Sequence, residues 1–165
     1  MSNSTFSRRG VLKTGMVAGA GLALPQYVRA QDSGFTNAPG DSEVILGFNV
    51  PQTGPYADEG ADELRAYELA VEHLNGGGDG GMLSTFSSQA LDGAGILGRE
   101  VKYVTGDTQT KSDAARASAR SMIEKDGAIM ITGGSSSGVA VAVQALCQEA
   151  GIIFMAGLTH SNDTT

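Results

Sequence analysis

Apolar residues along the chain follow two alternating patterns. Near-continuous apolar runs occupy residues 43–50 (EVILGFNV), 128–132 (AIMIT) and 152–156 (IIFMA), each bounded by Gly, Pro or polar residues. Runs this short and rich in β-branched side chains predict strands buried on both faces. Residues 99–105 alternate instead, with Val101, Tyr103 and Thr105 on one face and Lys102 and Val104 on the other. They predict a further strand, ending at Gly106-Asp107, so that the chain carries four strands.

Between the strands the period lengthens to that of a helix. In residues 57–75, Leu64, Tyr67, Val71 and Leu74 recur at helical spacing, after Pro51 and Pro55 have ended the first strand. Asp58, Glu59, Asp62 and Glu63 fall in the first turns, where they complement the helix dipole or face a ligand at the mouth of a cleft. Thr110 and Asp113 resemble a capping box for a second helix with Ala115, Ala119, Met122 and Ile123 inward, ended by Asp126-Gly127. Ser137 is set to cap a third helix over 139–149, stopped at Gly151. Residues 75–98 hold eight glycines and predict a surface excursion with room for a short helix. The alternation predicts an α/β fold, a parallel sheet with helices on both faces and right-handed crossovers, as one domain over 43–165.

The first thirty residues stand apart. Ser7-Arg8-Arg9-Gly10-Val11-Leu12-Lys13 is a twin-arginine signal, followed by a Gly/Ala-rich, weakly apolar stretch and the small-residue pattern Val28-Arg29-Ala30. Residues 1–30 are therefore expected to be a signal peptide cleaved after Ala30 by the Tat export route, releasing a periplasmic protein. Residues 31–42 mix Gly, Pro, Asn and Asp and predict a flexible mature N-terminus. Cleavage leaves seven basic against eighteen acidic residues, a formal charge of −11. Such acidity, without a Lys/Arg cluster, argues against a nucleic-acid partner. Cys147 is the single cysteine and falls on a periodic helix face, which predicts burial; with only His73 and His160 beside it, no metal site is expected.

Candidate chemistry concentrates at Gly133–Gly138, GGSSSG, between a strand and a helix. One reading takes GSSSG as the elbow of an exported serine hydrolase with Ser136 as nucleophile. Against it, Glu149 is the only acid between Ser136 and His160, and no other histidine follows, so an acid and base in the required order are missing. A second reading is a cradle whose backbone amides and hydroxyls hold an anionic or zwitterionic ligand; a third is a tight turn and cap alone. Tyr56, the serines and Thr159–Ser161 all follow strands at the same predicted sheet edge, which favours the cradle. No enzymatic activity and no cofactor are expected.

Together, the export signal, VILGFNVPQTGPYA with Gly60 after it, the helix after Gly106-Asp107, ITGGSSSG and GIIFMAGLTHS resemble one known family. It is the type I periplasmic solute-binding proteins, in their branched-chain amino acid and amide (leucine-binding protein) group, and the likeness is to the amino-terminal lobe. The resemblance implies an ABC importer component that captures a small amino acid or amide between two α/β lobes and delivers it to permease subunits. A ligand-sensing receptor domain is the related alternative. It also implies that Ser136, Ser137 and Gly138, with Thr159, His160 and Ser161, meet the ligand's α-carboxylate and α-amino groups, and that Tyr56 or Glu59 approaches from the first loop. Relatives often carry SPGAT after the fourth strand, where this chain has AGLTH and so introduces His160.

The resemblance further implies an incomplete lobe, with a second lobe outside this sequence. If a complete clamp binds near −8 kcal/mol, about micromolar, losing half of that interaction leaves roughly millimolar affinity. Calorimetry on the mature chain is therefore expected to give no saturable micromolar isotherm with leucine, isoleucine, valine or short amides. A tight isotherm would contradict the shared-site expectation.

Overall fold

The computed structural model describes residues 36–76, 85 and 94–164. Strands β1 (Glu43–Val50), β2 (Glu100–Asp107), β3 (Met130–Gly133) and β4 (Ile153–Ala156) alternate with helices α1 (Ala57–Leu74), α2 (Ser112–Glu124) and α3 (Ser137–Ala150). A 3-10 turn, Asn162–Thr164, follows β4. All pairings are parallel, in the order β2-β1-β3-β4. The expected α/β class is what the structure has. The signal peptide and most of the glycine-rich excursion lie outside the described residues.

Helices cover both faces because each strand sends alternate residues to opposite sides. On one face Val44, Leu46, Phe48 and Val101 pack against Val71, Leu64, Tyr67 and Leu74 of α1. Phe48 sits 4.9 Å from the Tyr67 ring of α1 and 5.0 Å from the Tyr103 ring of β2, an aromatic cluster between sheet and helix. On the other face Ile131 is enclosed by the inner stripes of α2 (Ala115, Ala119, Met122, Ile123) and α3 (Val139, Val143, Leu146, Cys147). The α2 stripe is the one its sequence periodicity predicts, and its alanines let that helix lie close to the sheet.

Several boundaries and roles differ from expectation. β3 and β4 begin later than the apolar runs do, since Ala128 and Ile152 are buried leads into the strands. β2 is an edge strand, so Tyr103 and Thr105 are exposed although they share a face with buried Val101. The Thr110–Asp113 capping box is not formed: Lys111 is the N-cap residue of α2 and makes no side-chain cap bond. Gln109 and Thr110 adopt left-handed φ angles of 51° and 55°, which tighten the turn and move the helix start beyond Thr110. Ser137 is the first residue of α3 and Ser136 its N-cap, again without a side-chain cap bond. Thr36 and Asn37, within the stretch expected to be flexible, are tied down. Asn37 Nδ2 donates to Ile123 O at 2.9 Å and to Ala128 O at 2.8 Å, and Thr36 Oγ1 donates to Ala150 O, so the segment collects carbonyls beside the ends of α2 and α3.

α1 lies over β1 and β2, and among the described residues no helix covers β4 on that face, with Ile153 and Met155 50% and 57% exposed. On the opposite face Cys147 is fully buried, and burial pushes its thiol up to about 11. Thiolate is therefore scarce at neutral and mildly alkaline pH, and the residue packs as a small apolar group. Native Cys147 is expected to react with a disulfide probe at pH 8 about a hundredfold more slowly than in denaturant. Equal rates in the two conditions would show that the α2–α3 layer opens readily.

Candidate functional site

In an all-parallel sheet every strand ends at the same edge, so the connections after β1, β2, β3 and β4 lie side by side there. The connection from β1 runs to β2 on one side, whereas the connections from β2 and β3 run the other way, to β3 and β4, which makes the gap between β1 and β3 the topological switch point. Residues 51–56 flank it on one side and the serine turn on the other.

The turn is enforced by its two glycines. Gly133 and Gly134 have φ of 125° and 93°, and a Cβ on Gly133 would run into the Asn49 carbonyl oxygen of the adjacent strand. The chain therefore leaves β3 abruptly and enters α3 after three intervening residues. The first turn of α3 has no acidic residue, in contrast to Asp58 and Glu59 in α1 and Asp113 in α2. The positive end of α3 thus faces the sheet edge with neither a side-chain cap nor an acidic residue in its own first turn, the arrangement that favours an anion.

The β4 turn joins it directly. Gly157 N donates to Gly133 O at 3.1 Å, and His160 N donates to Ser137 Oγ at 3.3 Å. With its oxygen accepting from His160, the Ser137 hydroxyl keeps its own proton for a further acceptor. The imidazole of His160 turns away, its Nδ1 3.1 Å from Leu158 O, and supplies no base to Ser136. Thr159 and Ser161 reach the same edge, but their hydroxyls serve the 3-10 turn. Thr159 Oγ1 lies 2.8 Å from Thr164 Oγ1, and Ser161 Oγ accepts from Asp163 N at 3.1 Å. Gly138 is exposed beside Ser137. Tyr56, 40% exposed, is the N-cap residue of α1, and Glu59 is exposed on its first turn. No hydrogen bond among the described residues joins either side chain to the serine turn.

Two acids outside the expected set of site residues hold the edge together. Glu63, only 5% exposed, accepts Ser135 Oγ at Oε2 (3.0 Å) and Tyr67 OH at Oε1 (2.6 Å). Thr132 Oγ1 in turn donates to Tyr67 OH at 3.2 Å. Burial raises the Tyr67 hydroxyl pKa, and its bond to Glu63 raises it further, so Tyr67 stays a donor. The signal was present: Glu63 shares the inner stripe of α1 with Gly60 and Val71, where an acid is out of place unless it is bonded.

The second acid is Asp107, at the end of β2. Its Oδ1 accepts the amides of Gln52, Thr53 and Gln109 at 2.9, 3.1 and 2.8 Å, and its Oδ2 accepts Thr53 Oγ1 at 2.6 Å. One carboxylate thus fastens the first loop to the β2–α2 turn.

A parallel sheet whose strand-end turns offer amides and hydroxyls at a switch point has the form of a ligand-binding α/β lobe. The sequence pattern described as periplasmic binding protein matches residues 43–165, and the chain belongs to that family, which comprises binding proteins and not enzymes. The Leu/Ile/Val-binding protein homolog 7 of Brucella abortus is 30% identical over 115 residues, 70% of this chain and 25% of that protein. The chain thus spans about a quarter of the length of the curated relatives it matches. Among solved structures, the branched-chain amino acid transporter substrate-binding protein LivJ from Streptococcus pneumoniae, in complex with isoleucine, superposes with a TM-score of 0.60. It is 21% identical, covering 74% of this chain and 31% of that one. A type 1 periplasmic binding protein from Bordetella pertussis has a TM-score of 0.53 at 27% identity, covering 70% of this chain and 28% of its own.

Burial alone would raise the Asp107 pKa, but the Thr53 hydroxyl and the three amides outweigh it and hold the carboxyl below its usual range. The staple is therefore complete above the unfolded-state value of about 3.9 and is lost as pH falls through the lower folded value. The amide resonances of Gln52, Thr53 and Gln109 are expected to titrate together, with a common midpoint under about 3.9. Independent midpoints, or one above that value, would break the link.

Proposed function

We propose that the chain is the amino-terminal lobe of an exported solute-binding protein, which captures a small amino acid or amide and presents it to the permease of an ABC importer. The observation that carries this reading is the uncapped start of α3 beside Ser137, whose oxygen already accepts from His160 N. A carboxylate there meets helix amides, a positive dipole end and a hydroxyl proton with no other claim on it. Each charge-assisted bond of this kind is worth about 1.5–3 kcal/mol. The Leu/Ile/Val-binding names of the relatives, and the isoleucine held by the pneumococcal protein, support a branched-chain amino acid as the first ligand to test.

In this reading Ser136, Ser137 and Gly138 hold the α-carboxylate, and Thr159, His160 and Ser161 stand near the α-amino group. Tyr56 and Glu59 approach across the switch point. A second lobe, beyond these residues, supplies the remaining wall of the pocket. Residues 1–30 direct Tat export with cleavage after Ala30, and residues 43–165 form the lobe in the periplasm.

Titrating the 15N-labelled chain with L-isoleucine to about 50 mM, well above a roughly millimolar half-site Kd, tests the assignment. Saturable shifts are expected at Ser136, Ser137, Gly138 and residues 159–161, with the Cys147 region unmoved. Shifts confined to other surfaces, or none at all, would refute it.

A further inference from the structure

The buried carboxyl of Glu63 joins the serine turn to helix α1 across the sheet edge. Ser135 belongs to the serine turn, Tyr67 to α1, and Thr132, which donates to Tyr67, to β3. The β4 turn closes over the same point, because a Cβ on Gly157 would overlap Glu63 Oε1 and the Tyr67 hydroxyl. Glu63 therefore reaches from the helix on one side of the β1–β3 switch point to the turn on the other, beneath the proposed cradle.

Burying an acid is unfavourable unless its oxygens are bonded, and apolar side chains of similar volume would fill the space at least as stably. What a polar link adds is direction. Ser135 lies between left-handed Gly134 and the N-cap Ser136, so holding its Oγ fixes the heading of the chain into residues 136–138. Without that bond, two glycines precede a turn whose first residues carry no side-chain cap, and the amides at the start of α3 lose their common aim.

We infer that Glu63 is a positioning residue of the ligand site, acting through Ser135 to orient the backbone amides and hydroxyls of residues 136–138, without itself touching the ligand. This rests on the solute-binding reading for its effect on affinity but not for its effect on the turn.

The test uses the 165-residue chain with Glu63→Met, Glu63→Gln, Ser135→Ala and the Glu63→Met/Ser135→Ala pair. Methionine keeps length and removes both bonds. Glutamine keeps both, because its oxygen still accepts from Tyr67 and its amide can donate to Ser135 Oγ. Without ligand, Glu63→Met and Ser135→Ala should displace the amide resonances of residues 136–138 in the same directions and lower their order parameters, while Glu63→Gln leaves them near wild type. With L-isoleucine, Glu63→Met should weaken Kd about tenfold, Glu63→Gln should stay within about threefold, and the double variant should be no worse than the weaker single one. A Glu63→Met chain with unmoved 136–138 resonances, or losses in Kd that add across the pair, would overturn the inference. If the wild-type chain fails to respond to isoleucine, the solute assignment falls, and the ligand-free resonances alone decide the role of Glu63.

Discussion

Strand β1 is hydrogen-bonded in parallel to β2 on one side and to β3 on the other, and the rest of the lobe follows from that arrangement. Parallel pairing on both sides obliges the chain to return across a face after every strand, which is why the sheet is layered between helices. It also brings every outgoing turn to one edge. The residues available for binding are thereby collected from sequence positions about a hundred residues apart.

Where burial decides conformation, the sequence was readable. The runs at 43–50 and 128–132 are apolar because both faces of a central strand are covered, and the stripe Ala115, Ala119, Met122, Ile123 is periodic because only one side of α2 meets the sheet. Helix starts were less readable. Thr110 and Ser137 have the side chains of caps, but a cap needs a backbone path as well as a hydroxyl. At the first site Gln109 and Thr110 are left-handed, and at the second the Ser137 oxygen is engaged by His160 N. Competition of that kind is decided by residues distant in sequence.

The candidate site was legible to a similar depth. The serine turn announces itself through composition, and its junction with the Thr159–Ser161 turn follows from topology. Asp107 does not announce itself, because an acid at a strand end has an ordinary explanation, and Glu63 is marked only by its place on the apolar stripe of α1. Only the fold shows that Asp107 accepts several donors from the first loop and the β2–α2 turn, and that Glu63 accepts one from the serine turn as well as one from its own helix. Binding groups can thus be read from residue type, whereas the groups that aim them are known by their partners.

The uncovered face of β4 has a consequence for the lobe as an object in solution. Ile153 and Met155 lie on a strand that, among the described residues, has no strand on its outer side, which is the combination by which sheets join edge to edge between molecules. Opposing it is the chain's excess of acid, a formal charge of −7 before any export cleavage, which makes copies repel one another. That repulsion reaches only about 10 Å at 0.1 M salt and shortens further as salt rises. The colloidal behaviour of this lobe is accordingly a contest between a sticky edge and a screened charge, with ionic strength as the variable that tips it.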